Sequence, residues 1–223
     1  MPELPFTTEQ FLEIFRSYNL AIWPAQIFAY LLGLGAIILA IRKIQVSDKL
    51  VSFILGIFWL WMGIAYHLLF FSRINEAALL FGGIFIIQGV LFIAFGMLTN
   101  KLRFHFQNNI YGIAGILLIS YAMIIYPFIG TLSGHGYPYA PMFGIAPCPT
   151  VIYTFGLLLW TQGKVPAWLL VVPALWSLVG FSAALQLDMP EDFGLIAAGI
   201  FSVTMLTYRN HIHRQGSSLR MVK

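Results

Sequence analysis

Six runs of 16 to 60 residues along this 223-residue chain contain no Asp, Glu, Lys or Arg, and the longest, 104–163, has room for two of the seven apolar segments they hold. A run of about 20 apolar residues is the length a helix needs to cross roughly 30 Å of hydrocarbon. In lipid every backbone polar group must find a partner within the protein, so only helices or a closed barrel can span. A barrel would show short stretches of alternating polarity, whereas these runs are continuous. The expected fold class is therefore all-α, a polytopic transmembrane bundle of seven helices. Composition agrees: 60% of residues are hydrophobic and only 9% charged. A soluble domain carries about 25% charged residues, and this chain would lack the polar surface to cover itself.

The spans are read as 21–41, 50–71, 77–98, 110–129, 142–160, 165–185 and 193–208, in a single transmembrane domain covering 1–223. A basic tail follows at 209–223. Segment 7–20 precedes them as a short amphipathic helix. Thr7 and Gln10 have capping-box spacing, and Phe11, Phe15 and Tyr18 recur on one face. Such a helix either lies in the membrane interface or packs on an outer loop. Three glutamates and one arginine in residues 1–20 do not resemble a cleavable signal, so the first span is expected to act as the insertion signal.

Charge placement orients the bundle. With the N-terminus outside, Arg42, Lys43, Lys49, Lys101, Arg103, Lys164, Arg209, Arg214, Arg220 and Lys223 fall on one side, and only Arg16 and Arg73 on the other. Short cytoplasmic loops carry this excess of positive charge. Glu3, Glu9, Glu13, Glu76, Asp188, Glu191 and Asp192 fall outside, and only Asp48 inside. The net charge of +4 thus reads as membrane orientation, not nucleic-acid binding. The expected partners are the lipid bilayer and a small ligand or metal ion.

No charged residue lies within a span, which disfavours proton pumping and ion relays. The last span has no lysine for a retinal Schiff base, and a lone span histidine is too few for a zinc hydrolase. What remains is His67 near the outer end of the second span, His135 in the fourth-to-fifth connection and Cys148 in Pro147-Cys148-Pro149. Two imidazoles and a thiol suit copper or zinc, and His67, His135 and Cys148 are the candidate metal ligands. The two prolines bar regular helix before Thr150. Residues 130–150 are therefore expected to dip back toward the bilayer as irregular backbone, which must be buried in protein or line a wet cavity. His67, Tyr66, Tyr137, Tyr139, Thr150 and Tyr153 are the expected lining of an outward-facing polar pocket; a structural plug is the alternative. Gln88 reads as a bridge between helices. Gly33 and Gly35, Gly82 and Gly83, and Gly112 and Gly115 read as close helix contacts.

The opening PFTTEQFLEIFRSYN with IWPAQ, the YHLLFF around His67 and the GIAPCPTVIYTFGLLLW stretch together resemble a bacterial family of uncharacterised multi-pass membrane proteins, a domain of unknown function. The resemblance covers essentially the whole chain. It implies a bacterial cytoplasmic membrane, with the outer face periplasmic, and no activity or catalytic residue. Three roles stay open: a binding or transport protein for a small ligand or metal ion, a membrane enzyme using Cys148 or His67, and a non-catalytic structural or sensory protein.

Overall fold

A computed structural model describes residues 4–99 and 101–221, with side chains described as far as residue 213. Of the charges used for orientation, Glu3 and Lys223 and the side chains of Arg214 and Arg220 lie outside the described residues. The chain forms α1 (Thr8–Ala21), α2 (Ala25–Arg42), α3 (Ser47–Arg73), α4 (Ala77–Leu98), α5 (Ile110–Leu132), α6 (Pro147–Leu159), α7 (Ala167–Leu187) and α8 (Phe193–Met221). Helix α3 widens into π-helix over Met62–Phe70 and α5 over Tyr121–Ile125. The only strands among the described residues are β1 (Arg103–Phe104) and β2 (Thr161–Gln162), antiparallel with Arg103 opposite Gln162.

Five of these helices, α2, α3, α4, α5 and α7, are long and apolar enough to cross a membrane. The other two expected spans differ. The fifth shrinks to the thirteen residues of α6, because the chain cannot become helical until Pro147 and Pro149 occupy its first turn. The last, α8, continues well past Tyr208 as helix instead of ending in a loose tail.

Helix α6 explains the layout. Every residue of it except Cys148 is buried. It packs against α5, α7 and α8, and a helix apolar on all sides belongs at a centre. The surrounding helices turn large apolar side chains outward: Phe28, Leu31 and Ile38 on α2, and Leu79, Leu80 and Ile87 on α4, are each more than half exposed. Patches of that extent on a soluble monomer would be anomalous.

Helices α3 and α4 meet most closely, through small residues. Gly82, Gly89 and Gly96 recur every seven positions on α4. A Cβ at Gly82 would stand 3.0 Å from Gly63 O, one at Gly89 2.9 Å from Gly56 O, and one at Gly96 2.0 Å from Ser52 Oγ. Such contacts let helix backbones approach where packing, not water exclusion, drives association. Of the glycine pairs expected to do this, Gly33, Gly82, Gly112 and Gly115 face neighbours, but Gly35 and Gly83 face open space. A helix turns consecutive positions about 100° apart, so one member of a close pair points away. Gln88 bridges to α7, donating to Leu169 O at 3.1 Å.

One end of the bundle is knit by the basic connections. Lys43 Nζ reaches the Asp48 carboxylate and the Phe104 carbonyl. Arg209 donates to the carbonyls of Leu159 and Thr161 at 3.2 and 2.7 Å, and Asn210 to Val165 O at 2.6 Å. The opposite end holds α1, the 133–146 loop and the short turn Pro190–Asp192. Helix α1 has the expected capping box, and it packs on the bundle. Tyr18 OH donates to Ile145 O at 2.8 Å, and Asn19 Nδ2 to Pro138 O and Ala140 O at 2.6 and 2.8 Å.

Candidate functional site

Helix α1 roofs a cavity of about 260 Å³ between α3, α4, α7 and the Pro-Cys-Pro turn. Its walls are mostly rings. Phe6, Phe11 and Phe15 come from the N-terminal segment, Tyr66 and Phe71 from α3, and Phe81 and Trp176 from α4 and α7. The aromatic residues of α1 reach these positions because helical spacing sets Phe11, Phe15 and Tyr18 on one face. Phe15 stacks on Tyr66 with centroids 5.1 Å apart, and Tyr66 on Phe71 at 5.5 Å.

Polar atoms gather at one side. Cys148, in the first turn of α6, and Asp192, in the turn before α8, both line the cavity. Gly180 lets them in: a Cβ there would lie 3.5 Å from Cys148 Sγ and 3.6 Å from Trp176 Nε1, so sulfur and indole converge over a bare backbone. Trp176 Nε1 is buried with no oxygen acceptor and faces the Cys148 sulfur, a weak acceptor. A buried donor left unmade costs about 1–3 kcal/mol.

Behind Asp192 lies a buried acidic pair. Asp192 is 4% exposed and Glu191 fully buried. Tyr126 OH donates to Asp192 Oδ1 at 2.5 Å, and Tyr121 OH to the Glu191 carbonyl at 2.8 Å. Burial pushes the Asp192 carboxyl up to about 7; the Tyr126 hydrogen bond opposes this, the neighbouring Glu191 adds to it, and the Cys148 thiol opposes it more weakly. Neither Glu191 carboxyl oxygen has a hydrogen-bond partner. His135 Nδ1 stands 3.5 Å from Glu191 Oε1, an ion-pair distance when the imidazole is protonated.

The candidate residues distribute unevenly over this arrangement. Tyr66 and Cys148 line the cavity. His67 stands one layer behind it, fully buried, ringed by Tyr66, Phe71, Phe81, Phe85 and Trp176 at centroid distances of 4.7–6.0 Å. Neither of its nitrogens has a hydrogen-bond partner. His135 turns to Glu191 instead. Among the described residues no three His, Cys, Asp or Glu side chains are grouped to hold a metal ion. The copper or zinc centre expected of His67, His135 and Cys148 does not assemble, because aromatic walls and the acidic turn take up two of its three members. Tyr137 and Tyr139 are 50% and 37% exposed and lie outside the cavity lining. Thr150 and Tyr153 serve the backbone: Thr150 Oγ1 accepts from Gly144 N at 2.9 Å and donates to Ala146 O at 2.7 Å, and Tyr153 OH donates to Gly33 O at 2.7 Å. The Thr150 bonds hold the 142–146 loop to α6, and the Tyr153 bond ties α6 to α2.

The sequence model of one family, described as a family of unknown function (DUF6064), matches residues 8–217. The chain belongs to that family. No curated protein and no solved structure matches it. The cavity of this DUF6064 chain thus takes its meaning from its own residues, and three of them escape a reading by spans. Glu191 and Asp192 look like solvated loop acids in sequence, and Trp176 like core filling. A signal for the acids was present: Tyr121 and Tyr126 sit in an apolar helix and their hydroxyls need acceptors. The turn Pro190-Glu191-Asp192, directly ahead of an apolar helix, is a short step away.

Proposed function

We propose that this DUF6064 protein spans the membrane seven times, α2 to α8 each crossing once, with its basic end in the cytoplasm. On this reading it binds a small, largely apolar molecule in the outer cavity beneath α1. The outward apolar side chains support lipid around the bundle. The short α6 is compatible with a span because its neighbours, not lipid, enclose it. At about 1.5 Å per residue a thirteen-residue helix is only about 20 Å long, and the buried 142–146 loop completes its path across.

One observation carries the binding reading: an aromatic-walled cavity has at its polar side, beside Asp192, an indole N–H that meets no oxygen acceptor, only the weakly accepting Cys148 sulfur. Ligand sites pair a mostly apolar lining with a few placed polar groups. The donor selects a ligand with an acceptor oxygen, such as a ketone or quinone carbonyl. The cavity lies just under the 300–1,000 Å³ usual for drug-sized ligands, so the ligand is small.

The test uses the full chain in detergent. Aryl ketones such as 1-acetonaphthone should slow modification of Cys148 by N-ethylmaleimide, naphthalene should do so less, and Trp176→Phe should remove the difference. Equal modification with and without every compound would end the binding reading. The span count is checked separately: a reporter fused after residue 223 that reads out on the same face as one at the N-terminus would end that part.

A further inference from the structure

The opposite end of the bundle carries a second cleft that plays no part in the pocket reading. It has a volume of about 890 Å³ and lies between the end of α4, the β1–β2 connections and the start of α7. Three basic residues line it, Lys101, Arg103 and Lys164, and no acid does. The β pairing gathers them. Arg103 stands opposite Gln162, and the connections leaving that pair bring Lys101 and Lys164 to the same cleft. Lys101 and Arg103, two apart in extended chain, share a side.

Like charges gathered in one cleft repel, and no acidic side chain among the described residues lines it. None of the three side chains has an ion-pair partner among the described residues. The acid of this end, Asp48, already holds Lys43 and accepts from the Phe104 N–H at 2.6 Å. The cleft also has an apolar side: Phe95 and Trp168 meet edge to face with centroids 4.7 Å apart, and Lys101 Nζ lies 5.5 Å from the centre of the Phe95 ring. Trp168 is 41% exposed, the half-wet setting that indoles occupy at a membrane interface.

We infer that this cleft binds a phosphate-bearing anion, with Lys101, Arg103 and Lys164 holding the phosphate and Phe95 and Trp168 contacting the apolar body attached to it. An anionic phospholipid headgroup satisfies both halves at once; a free phosphate satisfies only the first. Each Lys or Arg near an anionic membrane surface contributes about fivefold in affinity, so removing three should cost roughly 100-fold.

The experiment measures retention of phosphatidylglycerol and phosphatidylcholine by the full-length protein in detergent, by native mass spectrometry. Wild type should retain phosphatidylglycerol preferentially, K164Q should weaken retention about fivefold, and K101Q/R103Q/K164Q roughly 100-fold. R42Q/K49Q, which removes two exposed charges of the same end outside the cleft, should retain it like wild type. Lipid-free thermal midpoints separate a folding defect of the triple variant from lost binding, and K164Q keeps the test decisive if that variant unfolds. Displacement of the lipid by inorganic phosphate would assign the site to a soluble phosphate; resistance to it would assign the site to lipid. Equal retention of the two lipids, unchanged retention in the cleft variants, or an equal loss in R42Q/K49Q would overturn the inference.

Discussion

Gly89→Ala tests the packing on which the α3–α4 pair rests. A Cβ at position 89 would stand 2.9 Å from Gly56 O, 2.9 Å from Leu60 N and 2.8 Å from Leu60 Cγ. Two of those atoms are backbone, so no rotamer change relieves the overlap. The helices must move apart by about half an ångström to restore ordinary carbon contacts, which forfeits a quarter or more of the attraction along the seam. Overpacking of this kind costs about 1–3 kcal/mol. Alanine returns up to about 1 kcal/mol through its better helix preference, leaving a net loss of up to about 2 kcal/mol when that return is complete. Gly83→Ala is the built-in control: its Cβ would meet nothing within 4 Å, so stability should hold or rise by up to about 1 kcal/mol. Reversible unfolding by SDS titration in mixed micelles, read by circular dichroism, compares the two. If both variants behave alike, or Gly89→Ala is as stable as wild type, the glycine seam is not what brings these helices together.

Four shorter predictions accompany it. Asp192 binds its proton more tightly folded than unfolded, so its contribution is fully present below about pH 4 and fades as pH rises to about 7; Asp192→Asn should flatten that fall in a pH series of unfolding midpoints, and a variant with the wild-type slope refutes it. Tyr153→Phe removes the bond to Gly33 O and should cost about 0.6–1.7 kcal/mol by the same SDS titration; no change would place that bond outside the stabilising set. Gly180→Val puts methyl groups where Cys148 Sγ and Trp176 Nε1 converge, with the Leu195 side chain, 2.6 Å from the new Cβ, turning aside, and should abolish ketone protection of Cys148 while the protein still folds in detergent. Thr7→Ala loses the capping-box bond to Gln10 N and should loosen the roof of the cavity, seen as faster amide exchange in residues 8–12 with α4 and α6 unaffected.

Much of the helical layout is legible in sequence because long apolar runs bounded by polar connections leave the backbone few alternatives to helix. Residues 77–98 match α4 end to end, since uncharged runs bounded by polar loops leave a helix little freedom. The reading weakens where other elements of the chain pack on every side. Phe11, Phe15 and Tyr18 marked the buried face of α1, but only the bonds from Tyr18 and Asn19 to the 138–145 backbone decide between interface and bundle. His67 was legible as a lone polar residue in a span; its ring-lined, partnerless surroundings were not, since they draw on three separate helices. The glycine seam was readable as the seven-residue repeat of Gly82, Gly89 and Gly96, and pairs of adjacent glycines distracted from it. The acids of the Pro190–Asp192 turn have a simpler reason: charge in a short connection normally means water, and here the Tyr126 hydroxyl takes its place at Asp192 while the Glu191 carboxyl faces His135.

The enclosure of α6 bears on how the chain is made. A segment enters hydrocarbon from the insertion machinery by its own contact with lipid, and α6 is too brief and too proline-bound at its leading end for that contact to hold it. Its companions α7 and α8 are synthesised after it. On the proposed seven-span reading, the middle of the finished molecule is then the part that waits during biogenesis for the C-terminal pair to close around it. A chain cut short after residue 165 should therefore lose α6 to the aqueous side while keeping α2 to α5 in the bilayer.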